Sequence, residues 1–273
     1  MRSSNPVLNN LPAGDYRQQG YGYQGYQQEF PSEAAYSQVP SQYQQQDRPM
    51  TVDDVVTKTG ITLAVIVLMA VINFGLSLYS PSLAMMLTLV GAIGGFITVL
   101  VSTLGRKEGA VTTLIYAALE GLFVGGLTVS FASMTTNISV GALVGQAVLG
   151  TVGVFAGMLF VYKTGAIRVT PKFTRFLTAA LIGVVVLSLG NLLGAIFFGV
   201  NPLTNGGALA IAFSLLCIVL AALSFLQDFD AADELIRMGA PAKMAWGVAL
   251  GLAVTLVWLY TEILRLLSYF NRE

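Results

Sequence analysis

Histidine is absent from this chain, and cysteine occurs only once. Without histidine the chain lacks the most common metal ligand and the most common general base, which excludes zinc proteases and Ser-His-Asp hydrolases. A lone Cys217 excludes an intrachain disulfide, and its apolar neighbours indicate a small buried hydrophobic residue. Walker loops, Gly-x-Ser-x-Gly elbows and cysteine pairs are also missing. We therefore expect a protein that is not an enzyme and holds no resident cofactor.

Charged residues are scarce, at 10% of the chain, whereas hydrophobic residues make up 55%. A soluble domain has too little polar material to cover that much apolar surface. Acidic and basic residues balance at 14 each, so the chain has no basic field that would attract nucleic acid. This composition predicts an all-α membrane protein whose main partner is the lipid bilayer.

Seven apolar runs are long enough to cross the hydrocarbon layer as helices, which takes about 20 residues each. Their expected limits are 60–79, 83–104, 110–131, 140–162, 176–198, 207–226 and 244–269. Thr51, followed by Asp53 and Asp54, has the pattern of a helix N-terminal cap with acids in the first turn. The sequence therefore predicts a seven-transmembrane-helix bundle over residues 51–273.

Residues 1–50 have a different composition, rich in Gln, Tyr, Gly and Pro. This segment has no apolar periodicity and cannot bury enough surface to offset its chain entropy, so we expect a disordered N-terminal tail. Its spaced tyrosines could bind protein partners, and the alternative is a passive tether.

Basic residues predict the orientation of the bundle. Twelve of the 14 Lys and Arg lie in the tail and its junction with the first run, or in the second, fourth and sixth links. These are Arg2, Arg17, Arg48, Lys58, Arg106, Lys107, Lys163, Arg168, Lys172, Arg175, Arg237 and Lys243. By the positive-inside rule, the N-terminal tail is then cytoplasmic in a multi-pass protein.

Glu120 lies in the third run, near the membrane midplane. A carboxylate in hydrocarbon costs about 2.5 kcal/mol or more, and no basic residue lies on the adjacent turns of its own helix. The side chain must therefore face the bundle, find a partner on another helix, or be protonated. A functional role and a purely structural polar contact both remain open.

Glu262 and Arg265 are three residues apart in the last run and can meet on one helical face. Either they neutralise each other, or Arg265 competes with a cation for Glu262 and so forms a gate.

A second acidic group ends the sixth run, and Asp228 is the member that lies deepest in the membrane. Asp230 and Asp233 would line an acidic cytoplasmic mouth, although the group does not match an EF-hand loop.

Three stretches match motifs of one known family. Residues 259–272, Leu-Tyr-Thr-Glu-Ile-Leu-Arg-Leu-Leu-Ser-Tyr-Phe-Asn-Arg, align without a gap with a motif Leu-Tyr-x-Asp-x-x-Asn-Leu-Phe-x-Tyr-x-x-Arg. The step Leu226-Gln227-Asp228 matches the end of that family's sixth helix, and the stretch 116–122, with its Glu-Gly pair, resembles the acid-Gly step of one of its early helices. The chain thus resembles the transmembrane Bax inhibitor motif family, and residues 2–6 are similar to its actinobacterial branch.

The resemblance implies a bundle with the last helix central, in the plasma membrane of a bacterium, that leaks calcium under pH control. By position the acid pair would be Asp228 and Glu262, which would also be the metal ligands for a transient Ca²⁺. Two carboxylates that share a proton titrate near neutral pH, because close like charges cannot both ionise freely. This chain departs from the family in having Glu at 262 and Arg at 265.

Helix geometry suggests a second grouping of the acids. A simple hairpin about Gly239 places Asp228 opposite Leu250, about 18 Å along the axis from Glu262, where the two cannot touch. Glu120 reaches a depth closer to Glu262, so Glu120, Glu262 and Arg265 form the alternative ion pathway and pH sensor. The alternative function is a non-conducting structural or regulatory membrane protein whose acids hold helices together and whose tail binds partners.

Overall fold

The computed structural model describes residues 48–105 and 109–272. In these residues the chain forms seven long helices, each long and apolar enough to cross a membrane. They are α1 (Val52–Tyr79), α2 (Pro81–Gly105), α3 (Ala110–Ala132), α4 (Val140–Thr164), α5 (Pro171–Phe198), α6 (Ala208–Arg237) and α7 (Ala245–Phe270). The prediction of an all-α, seven-helix transmembrane fold is confirmed. Arg106 and Lys107 of the second link lie outside the described residues.

Several helices are longer than the apolar runs that predicted them. α1 begins at Val52 rather than residue 60, and α6 continues to Arg237 rather than ending at residue 226. Hydropathy marks only the part of a helix that lies in hydrocarbon, whereas backbone hydrogen bonds continue through the polar ends. In α6 the ion pair between Asp233 and Arg237, at 3.2 Å, supports this extension.

The predicted cap of α1 is present. Thr51 Oγ1 accepts a hydrogen bond from the Asp54 amide at 3.3 Å, while the Asp54 carboxylate accepts one from the Thr51 amide at 3.0 Å. This reciprocal arrangement is a capping box, which satisfies two amides that a helix start leaves open.

Close backbone packing joins α1, α2 and α3. Gly121 and Gly125 of α3 lie against the backbone of α1, where a Cβ atom would collide with the carbonyl oxygens of Ile66 and Ala70. The buried Asn73 of α1 donates to Thr88 Oγ1 of α2 at 3.0 Å and to the Leu122 carbonyl of α3 at 2.6 Å. These three helices therefore form one tightly packed layer.

α7 is the central helix of the bundle. It packs against α1, α3, α4 and α6, and a larger share of its membrane-crossing stretch is buried than in any other described helix. α5 occupies the periphery, where its main contact is with α6. The side chains that face α7 are therefore the ones most shielded from lipid.

The described chain begins with a packed segment. Pro49 pairs with Pro241 in an isolated antiparallel bridge, and Met50 is buried. Residues 48–50, which the composition assigned to the tail, thus belong to the packed bundle, because one methionine side chain and two backbone hydrogen bonds hold them. The rest of the predicted tail, residues 1–47, lies outside the described residues.

Candidate functional site

Asp228 of α6 faces α7. Its Oδ2 accepts a hydrogen bond from Thr255 Oγ1 at 2.7 Å. The simple hairpin placed Asp228 opposite Leu250, and this register was wrong by five residues. The reason is that the chain reverses over a longer link, which includes Gly239 at φ +66° and a 3₁₀ turn at Ala242–Met244 before α7 begins. Asp228 therefore reaches deeper along α7 than predicted.

Glu262 and Arg265 form a buried ion pair on α7. The Arg265 Nε also donates to Ser214 Oγ of α6 at 3.1 Å, so the pair holds the first half of α6 against the second half of α7. Only 9% of the Glu262 side chain and 16% of the Arg265 side chain are exposed. Two charges that are this well shielded depend on each other, because either one alone would be uncompensated.

Glu120 of α3 opens into a cavity of about 310 Å³ between α2, α3 and α7. Its Oε2 lies directly over Gly95 of α2, where an added Cβ would come within 2.9 Å. Within residues 48–105 and 109–272, no hydrogen bond or ion pair engages its carboxylate. The sequence allowed three placements of this side chain, and the structure shows the first of them: the Glu120 carboxyl group faces the interior of the bundle.

Asp228 and Glu120 face two turns of α7, and Glu262 lies at the end of those turns. The cavity of Glu120 is walled on that side by Val254, Val257, Trp258 and Thr261. These residues overlap the stretch from Thr255, which binds Asp228, to Glu262. Seven residues of helix rise separate Thr255 from Glu262, or about 10 Å. We call this stretch, residues 255–262, the acid-facing segment.

The acids approach the acid-facing segment from different sides. Among the described residues, no hydrogen bond or ion pair joins Asp228, Glu120 and Glu262 to one another. Asp228 contacts the side of α7 that packs against α6. Glu120 lies in the cavity on the side of α7 that faces α2 and α3. The structure thus shows neither predicted pair in direct contact, although all three acids share one narrow depth range.

Trp258 links these two sides. It lines the cavity of Glu120 and lies one helical turn before Glu262 on α7. Sequence reasoning missed both Trp258 and Thr255. Their spacing of four and seven residues before Glu262 places them on its helical face, and this was the signal that could have found them.

The other acids of α6 lie nearer its C-terminal end. Asp233 pairs with Arg237, as the sequence predicted, and accepts a hydrogen bond from the Tyr162 hydroxyl at 3.3 Å. Asp230 is half-buried, and both side chains lie beyond Asp228 along the helix. No group of three or more Asp, Glu, Cys or His that could hold a metal occurs in the described ranges. Metal binding by Asp228 and Glu262 stays a prediction.

The fold and the buried acids define a multi-pass α-helical membrane protein with a central acid-lined helix. A family model described as Bax inhibitor 1 like matches residues 5–272. The chain therefore belongs to the Bax inhibitor 1 like family, and the family resemblance read from its motifs is confirmed. A search of curated proteins finds no match.

Proposed function

We propose that this protein is a pH-sensitive cation leak channel of the bacterial plasma membrane, with calcium as its ion, rather than an enzyme. The observation that carries the proposal is the convergence of Asp228, Glu120 and Glu262 on the acid-facing segment of the central helix. Ionisable groups inside a membrane are costly, and they typically mark substrate or ion pathways, proton relays or voltage sensors.

The charge state of these acids supplies the pH sensitivity. Asp228 and Glu120 have no basic partner among the described residues, whereas Glu262 is neutralised by Arg265. At higher pH, ionised Asp228 and Glu120 attract a cation, and protonation at lower pH removes that attraction. A cation that passes Glu262 must compete with Arg265, so this ion pair acts as the gate.

Basic residues support a cytoplasmic N-terminus for the channel. Arg168 lies in the link between α4 and α5, and Arg237 and Lys243 lie at the link between α6 and α7. All three belong to the end of the bundle at which α1 starts, which the positive-inside rule assigns to the cytoplasm. In this orientation Asp230 and Asp233 line the cytoplasmic mouth.

Calcium flux into proteoliposomes tests the proposal. The triple variant Asp228→Asn, Glu120→Gln, Glu262→Gln removes the three carboxylates with almost no change in side-chain volume. We expect its flux to fall to the level of protein-free liposomes. Glu234→Gln is the matched control, because Glu234 is an exposed acid on α6, and its flux should equal that of the unaltered protein. Unchanged flux in the triple variant would refute the channel.

A non-conducting structural or regulatory protein is the second candidate. Two polar contacts favour it, because Asp228 with Thr255 and Arg265 with Ser214 each tie α6 to α7. In this case the same triple variant would lower the melting temperature strongly and no flux would be detected in any variant. The N-terminal tail would then bind protein partners.

A further inference from the structure

Residues 48–50, which we call the strap, pair with the link between α6 and α7. The Met50 amide donates to the Ala240 carbonyl at 2.7 Å, and the Ala242 amide donates to the Arg48 carbonyl at 2.9 Å. Pro49 and Pro241 face each other between these two bonds. In such a pair neither residue's own nitrogen takes part in the bonding, so proline fits at both positions.

Side chains reinforce this backbone pairing. Met50 is only 2% exposed and packs in the core cluster that holds Phe225 and Phe229 of α6 together with Ala245 of α7. Its side chain therefore fills space between the two helices that the link joins. Removing it would uncover apolar surface on both of them.

The start of α1 holds the same link. The two terminal guanidinium nitrogens of Arg48, Nη1 and Nη2, donate to the Asp54 carboxylate at 2.7 and 2.6 Å, which fixes the strap to the capped end of α1. One turn further on, the Lys58 ammonium donates to the Ala242 carbonyl and lies 5.7 Å from the centre of the Trp246 ring. The strap, α1 and the link thus form one connected unit.

This unit joins the N-terminal tail to the candidate site. Forty-seven residues precede Arg48, and the link connects the helix of Asp228 to the helix of Thr255 and Glu262. We propose that the strap regulates the leak: while it is docked, the link is fixed and α6 stays in register with α7, and its release by a load on the tail raises cation flux. This inference rests on the proposed function.

A reversible cross-link tests the docked state. Residues that face each other in a pair of this kind have Cα atoms about 4.5 Å apart, which suits a disulfide. We therefore design Pro49→Cys with Pro241→Cys in a Cys217→Ala background, and Pro49→Cys alone as the control. The double variant should cross-link when oxidised, and with Met50→Asp added to release the strap it should leak several-fold less when oxidised than after reduction; the control should show no such difference. Failure to cross-link in the folded protein would overturn the proposal.

A charged side chain tests the released state. Met50→Asp places a carboxylate in the apolar cluster and should raise calcium flux several-fold. Met238→Asp is the matched control, because Met238 belongs to the same link but is 65% exposed. Equal flux in Met50→Asp, Met238→Asp and the unaltered protein would contradict the proposal.

Tryptophan fluorescence shows whether a negative flux result means that the strap proposal is wrong or that the proposed channel function is wrong. The chain has two tryptophans, so Trp246→Phe leaves Trp258 of the acid-facing segment as the sole reporter. If locking the strap shifts Trp258 emission while no variant conducts, coupling of the strap to α7 holds and the channel fails. If the protein conducts but neither flux nor Trp258 emission responds to locking, the strap proposal fails and the channel stands.

Discussion

Replacing Glu262 with glutamine removes one partner of the buried ion pair on α7 and leaves Arg265 charged. Both side chains are at least four-fifths buried, and the remaining hydrogen bond from Arg265 goes to the uncharged Ser214. Breaking such a pair costs about 3–5 kcal/mol, because the surviving charge stays desolvated. Each kcal/mol lowers the melting temperature of a protein of this size by about 2–4 °C, so we expect a decrease of roughly 10 °C.

The double variant Glu262→Gln, Arg265→Met shows whether the loss comes from the uncompensated charge. Methionine keeps an unbranched apolar stem and removes the charge, so the double variant should recover to within about 2 kcal/mol of the unaltered protein. The measurement is the melting temperature, in detergent, of the unaltered protein, Glu262→Gln and the double variant.

Asp233→Asn serves as the control for an exposed pair. The ion pair of Asp233 with Arg237 joins side chains that are 48% and 66% exposed. Exposed ion pairs contribute about 0–1 kcal/mol to the free energy of unfolding. The reasoning would be refuted if Glu262→Gln cost no more than Asp233→Asn, or if the double variant were as unstable as the single one.

Three further predictions follow from contacts of the site and the bundle. Gly95→Ala should displace the Glu120 carboxylate and lower calcium flux in liposomes, whereas Gly75→Ala, with open space around its Cβ position, should not. Asp228→Asn should flatten the rise in flux with increasing pH, as measured across a series of buffered liposomes, and an unchanged slope would contradict a sensing role. Asn73→Ala should destabilise the protein by about 1–3 kcal/mol in thermal unfolding, because it removes two buried hydrogen bonds that join α1 to α2 and α3.

The helices themselves could be predicted from the sequence because each is a long apolar run. The cap at Thr51 and the pairs Asp233–Arg237 and Glu262–Arg265 could also be predicted, since all of these depend on spacing within one helix. Contacts within one helix can therefore be predicted from the spacing of residues in the sequence.

Contacts between different helices could not be predicted from the sequence in the same way. The register of Asp228 against Thr255 depends on the length of the link, which contains a 3₁₀ turn without a distinct sequence signal. The place of Glu120 depends on the absence of a side chain at Gly95, on a different helix. The strap was missed because Met50 is a single apolar residue in polar surroundings, and its burial requires a partner almost 200 residues away in the chain.

The two prolines of the strap pairing also limit what this contact can become. In a facing pair of this kind, the backbone nitrogens of Pro49 and Pro241 point outward, and proline carries no hydrogen there. Neither proline can therefore donate a hydrogen bond to another extended segment, which disfavours strand addition at these two positions. While the strap is docked, the missing donors at Pro49 and Pro241 therefore oppose growth of this pairing into a larger sheet.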